Sequence, residues 1–143
     1  MGRNLLVKIA LFLEGKPGKV YAAPFGVRSF PKNDLSDDIC FEPDITVVCD
    51  PSKLDDRGCN GPPDMIAEIL SPSNPQYDMP VKFRKYLQAG VREYRILDPE
   101  AKTVHACILD GNQYRVSVYG ETQIVPVSVL PGCFIELKSL FED

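Results

Sequence analysis

Apolar positions in the first segment recur at helical spacing. Leu5, Leu6, Ile9 and Leu13 fall at i, i+1, i+4 and i+8, predicting a helix over Asn4–Leu13 that Gly15 stops. Val7, Ala10, Leu11 and Phe12 make this segment apolar nearly all round, which predicts packing on both sides. Val20–Arg28 and Ile45–Cys49 read as strands, with Pro24 pushing the first toward an edge or a bulge. Pro31–Asp38 between them is a polar turn region, and Pro51–Pro63 is a loop by composition. Met65–Leu70 reads as a short buried strand closed by Ser71-Pro72-Ser73.

A second helix is well punctuated, with Asp78 as N-cap, Pro80 in its first turn and Gly90 as C-cap. Arg92–Leu97 returns as a strand turned by Asp98-Pro99-Glu100. Thr103–Leu109 and Gln113–Tyr119 then flank the hairpin signal Asp110-Gly111. The tail, Ile124–Leu137, is strand-like with breaks at Pro126 and Pro131. The order α-β-β-β-α-β, followed by a hairpin and tail strands, predicts a mixed α/β (α+β) fold with a sheet flanked by helices.

At 143 residues the chain fits one domain, residues 1–143, long enough to bury a core without staples. A formal charge of −4 excludes a generally basic nucleic-acid wrapper and leaves room for a local basic strip. Lys8 interrupts the first apolar run, which is far shorter than a membrane span, and Glu14-Gly15-Lys16 follows where a signal peptide would need small residues. The five cysteines (Cys40, Cys49, Cys59, Cys107, Cys133) are odd in number and form no C-x-x-C pair, so they read as reduced thiols of a cytoplasmic protein.

One residue breaks the pattern of the most buried-looking strand. Alternation puts Glu68 on a face with Ile66 and Leu70, where a carboxylate is costly unless a cation, proton or metal compensates it. Asp44 follows Pro43 at the entry of the preceding strand, and the 24-residue separation suits two neighbouring strands joined by a long loop. Two carboxylates at one end of a sheet would suit Mg²⁺. Lys82 lies near the start of the following helix, four residues before Tyr86 and hence on its face. Its ammonium could reach those carboxylates. Arg84 and Lys85, extended by Arg92, form a small basic cluster that could meet phosphates. His105, the one histidine, alternates along a hairpin strand and reads as half-exposed there. Gly-rich phosphate loops do not occur in the sequence.

These residues form a larger pattern. Glu42-Pro43-Asp44, Pro63-Asp64-Met65-Ile66-Ala67-Glu68-Ile69-Leu70-Ser71-Pro72-Ser73, and Lys82-x-x-x-Tyr86 before Ala89-Gly90-Val91-Arg92-Glu93-Tyr94 resemble the Uma-two family. That family consists of restriction-endonuclease-like proteins of the PD-(D/E)XK nuclease superfamily. The resemblance implies a restriction-endonuclease-like α-β-β-β-α-β core with an added C-terminal hairpin and strands. It implies Asp44 and Glu68 as catalytic, metal-binding carboxylates, with the Ile69 carbonyl as a further ligand. The lysine expected two residues after Glu68 is replaced by Leu70, and Lys82 is its implied substitute on the next helix. Tyr86 is implied as a wall of the site.

Three departures accompany the resemblance. The chain starts inside the first helix, where relatives carry an upstream segment, so truncation is expected. Gly26 stands where relatives commonly have an acidic residue, and Asn74 and Arg95 stand where they often have Thr and Trp. The expected activity is Mg²⁺-dependent hydrolysis of DNA phosphodiesters, with Mn²⁺ able to substitute and a homodimer burying the apolar first helix. The alternative expectation is a catalytically impaired relative acting as a dimeric nucleic-acid-binding module.

Overall fold

The computed structural model describes residues 1–28, 41–70 and 79–142. The first helix, α1, runs Gly2–Leu13. Strand β1 (Lys19–Ala22) follows, then β2 (Val27–Arg28) and β3 (Ile45–Val48). A short 3₁₀ turn at Pro51–Lys53 leads into β4 (Leu54–Asp55) and β5 (Gly58–Asn60), ahead of β6 (Met65–Ile69). Helix α2 (Met79–Ala89) connects to β7 (Glu93–Asp98). The hairpin β8 (Thr103–Asp110) and β9 (Gln113–Gly120) precedes β10 (Ile124–Pro126), β11 (Phe134–Glu136) and α3 (Leu137–Phe141).

Six strands form the main sheet in the order β1-β3-β6-β7-β8-β9. All neighbours are antiparallel except β6 and β7, which run parallel. A parallel pair needs a crossover, and α2 belongs to it. Gly90 ends α2 at φ +88°, where its amide and that of Val91 both donate to the Tyr86 carbonyl at 3.1 Å. That stop returns the chain to β7 beside β6.

Alternation along the central strands feeds two cores. One face (Ile45, Val47, Met65, Ala67, Leu97) packs under Leu5, Ile9 and Leu13 of α1 and under the C-terminal segment through Val127, Ile135 and Leu140. The other face (Val48, Ile66, Tyr94, Ile96) packs under Tyr86 of α2 and against Val27 and Cys59 of a small second sheet. Glu93 and Arg95 of β7 are buried on the first face. There Arg95 Nε donates to Glu93 and an Arg95 terminal nitrogen to the Pro126 carbonyl, while Glu93 Oε1 accepts from the Val129 amide at 3.2 Å. This ion pair ties the tail to the sheet.

The mixed α+β architecture and the α-β-β-β-α-β order of the core agree with the sequence reading. Four local expectations need correction. Val20–Arg28 is two strands in different sheets, because Pro24 offers no amide hydrogen to a ladder. The Pro51–Pro63 stretch holds β4 and β5, which join β2 as the sheet β2-β5-β4. Its Gly58 lies at φ +119°, and a Cβ there would come 2.1 Å from the Gly26 carbonyl oxygen. The Ile124–Leu137 tail is strand only at β10 and β11, and α3 begins at its last residue. Helix α1 buries one stripe only, leaving Val7 and Leu11 exposed. The expected Pro31–Asp38 turn, the Asp78 cap, Asn74 and the Ser71-Pro72-Ser73 stop lie outside the described residues.

Candidate active site at the end of β3 and β6

Antiparallel pairing sets Ile45 of β3 opposite Ala67 of β6, so the next step places Asp44 opposite Glu68. The two residues are cross-linked through the backbone. Asp44 donates its amide hydrogen to Glu68 Oε1 at 3.2 Å, and Asp44 Oδ2 accepts from the Ile69 amide at 2.7 Å. Pro43 before Asp44 and the close of β6 at Ile69 keep both carboxylates at one sheet end.

Helix α2 supplies the cation. Lys82 Nζ donates to Glu68 Oε2 at 2.6 Å, and Tyr86, one turn later, places its hydroxyl 3.5 Å from the same oxygen. The Glu68 side chain is 7% exposed against 25% for Lys82, so a partly exposed lysine compensates a nearly buried carboxylate. Burial first, then the Glu68 charge, raises the Tyr86 pKa far above the ordinary phenol range. Tyr86 is therefore a neutral donor at any working pH. Leu70, in the place of the expected strand lysine, packs against the second core instead.

The donor set is all oxygen. Among the described residues no group of three or more His, Cys, Asp and Glu side chains could hold a metal ion. Two carboxylates with a strand-end carbonyl nonetheless match the habit of Mg²⁺, which takes few protein ligands and leaves places for water and phosphate oxygens. Asp44 has one oxygen on the Ile69 amide and, among the described residues, no hydrogen bond on the other. A hard divalent cation fits these residues.

The Uma2 family, described as a putative restriction endonuclease, matches residues 1–138. The chain belongs to this family. Its fold is similar to the crystal structure of a putative nuclease belonging to DUF820 from Anabaena variabilis ATCC 29413. That likeness has a TM-score of 0.75 at 21% identity and covers 98% of this chain and 77% of the other. No curated protein matches the sequence.

In this Uma2 chain the basic residues named from sequence do not gather at one place. Lys85 is half-buried on the same side of α2 as Lys82, whereas Arg84 is exposed about 200° around the helix from Lys82. Arg92 does not extend the cluster. It pairs with Asp64 at 3.0 Å, four residues and roughly 13 Å along β6 from Glu68. Gly26, at the position where an acid was expected, gives its carbonyl to the Cys59 amide at 2.8 Å. His105 is half-buried on β8, as its alternation predicts.

Two aromatic residues went unassigned by sequence reasoning. Phe41 and Tyr94 meet the Tyr86 ring edge-on at centroid distances of 5.4 and 4.9 Å and hold it beneath α2. Tyr94 lies opposite Ile66 in the β6–β7 register, on the face that carries Glu68, and that register was the available signal. The Tyr94 hydroxyl is buried and has no hydrogen-bond partner among the described residues. Burial, then the Glu68 charge, pushes its pKa well up.

Proposed function

We propose that this chain is a metal-dependent endonuclease hydrolysing DNA phosphodiesters, with Asp44, Glu68 and Lys82 as its catalytic residues. The single observation carrying this reading is the meeting of Lys82 Nζ with Glu68 Oε2 at 2.6 Å, beside an Asp44 that is hydrogen-bonded to the Glu68 segment.

Asp44, Glu68 and the Ile69 carbonyl would hold the ion, Mg²⁺ by preference with Mn²⁺ as substitute. When bound, it supplies Lewis-acid polarisation of the phosphate and lowers the pKa of an attacking water. The remaining work belongs to the chain itself. Lys82, carried on a flexible stem, presents three donors at the phosphate side of the carboxylates and stabilises charge gathering on the phosphoryl oxygens. Tyr86 walls the site and, as a neutral donor, keeps Glu68 Oε2 oriented. Lys85, on the Lys82 side of α2, meets a neighbouring phosphate, which fixes register rather than sequence preference, whereas Arg84 faces away from this site.

Four of the five cysteines, Cys49, Cys59, Cys107 and Cys133, are free thiols, which fits a reducing, cytoplasmic setting. Among the described residues no helix is long and apolar enough to cross a membrane. Exposed Val7 and Leu11 on α1, with Ile124 and Phe134 on the terminal ribbon, favour self-association into a homodimer.

Plasmid nicking in Mg²⁺ by the wild type and by Glu68→Gln tests the catalytic reading. The expected result is metal-dependent nicking that falls at least about 100-fold in the variant, in line with loss of a charge-stabilising group. Equal activity in both proteins refutes the assignment. Metal binding and DNA binding without nicking in either would instead establish the non-catalytic binding module.

A further inference from the structure

Glu68 is closed by Lys82, while Asp44 is not. Lys82 Nζ and the Tyr86 hydroxyl both lie on Glu68 Oε2, and Oε1 takes the Asp44 amide, so every Glu68 oxygen has a donor. Asp44 spends one oxygen on Ile69 and is half-buried. The ammonium thus stands where a divalent cation would otherwise compensate the buried carboxylate. Three features make it removable: it sits on a four-carbon stem, its side chain remains a quarter exposed, and its one ion-pair partner among the described residues is Glu68.

We infer that Lys82 is a tethered competitor for the metal, released when a substrate phosphate accepts its ammonium, so that metal and DNA bind cooperatively. The inference rests on the nuclease reading above and adds an order of events to it. Without nucleic acid, a divalent ion must displace Lys82 from Oε2 or share that oxygen with an ammonium already 2.6 Å from it. A phosphate arriving beside the site offers the ammonium a new anionic partner. Glu68 Oε2 is then open to the ion. Coupling of this kind is reciprocal: whatever factor DNA adds to metal affinity, metal adds to DNA affinity. The arrangement keeps the resting protein poorly loaded and assembles the complete centre on substrate.

The experiment titrates Mn²⁺ alone into the full chain by calorimetry, with and without a short duplex whose phosphorothioate linkages resist cleavage. Wild type and Lys82→Met, which keeps the stem and removes the charge, are compared. In the wild type the duplex is expected to tighten Mn²⁺ binding about tenfold, within the usual range of coupling. Lys82→Met is expected to bind Mn²⁺ tighter than wild type without DNA and to lose most of the dependence on the duplex. Removing a positive charge raises cation affinity in any case, so the lost dependence is the decisive readout. Wild-type Mn²⁺ affinity unchanged by the duplex overturns the inference and leaves the nuclease reading standing. Absence of Mn²⁺ binding in every arm overturns both. Should Lys82→Met fail to fold by circular dichroism, Lys82→Gln takes its place in the same titrations, with the same loss of duplex dependence expected.

Discussion

Asp44 donates its amide hydrogen to the Glu68 side chain, and its own carboxylate accepts from the residue after Glu68. Each acid is held by the other's backbone neighbourhood. The pair thus closes the β3–β6 end of the sheet as well as forming the proposed site.

That double role predicts a split between two substitutions. Asp44→Asn keeps an acceptor for the Ile69 amide and should fold with near wild-type stability while losing metal binding. Asp44→Ala leaves that amide without its partner and should cost about 1–2 kcal/mol in urea denaturation. Equal stability losses in the two variants would contradict the mutual-support geometry.

The Glu93–Arg95 pair predicts a large loss from removing one partner. Glu93 is fully buried and the Arg95 side chain is 5% exposed, and together they hold the Pro126 carbonyl and the Val129 amide. Arg95→Ala strands a buried carboxylate and should destabilise by about 3 kcal/mol. Replacing both residues at once by Glu93→Leu and Arg95→Met should cost less than Arg95→Ala alone, because no uncompensated charge remains. A urea series that finds Arg95→Ala within experimental error of wild type would show that the tail is anchored without the pair.

Asp55 gives a pH-dependent prediction. Its hydrogen bond from the buried Arg28 guanidinium, followed by one from the Arg57 amide, lowers its pKa below the ordinary carboxylate value. A carboxyl depressed in the folded state stabilises above its unfolded value, near 3.9, and this contribution is lost as pH falls through the lower native value. The melting temperature of Asp55→Asn should therefore trail wild type at pH 7, with the gap closing as pH drops below about 4. A gap that stays constant down to pH 2 would place the stabilisation outside this carboxylate.

Elements with strong periodicity or punctuation were legible in the sequence, and those made by long-range contact were not. Helix α1, β6 and the β8–β9 hairpin follow their patterns within a residue or two, and Pro80 and Gly90 mark α2. The β2-β5-β4 sheet was illegible because two- and three-residue strands carry no period. It is held by pairings such as Val27 with Cys59, 32 positions apart. Arg28 and Asp55 likewise meet only through that sheet.

At the site, Glu68 announced itself as a charge on an apolar strand face. Asp44 and Lys82 became legible through the family motif, and their contacts came from β3–β6 register and the placement of α2. The roles of Phe41 and Tyr94 depend on ring packing that no local pattern encodes. The expected Arg92 extension failed because helix α2 separates Arg92 from Lys82 and delivers it to Asp64 at the other end of β6.

Anomalous scattering from crystals grown with a short DNA duplex and soaked in Mn²⁺ tests the central claim most directly. The account predicts a strong peak beside the carboxylates of Asp44 and Glu68, with Lys82 Nζ moved from Glu68 Oε2 toward a phosphate. Bound duplex with no peak beside these carboxylates, and Lys82 still seated on Glu68, would contradict it.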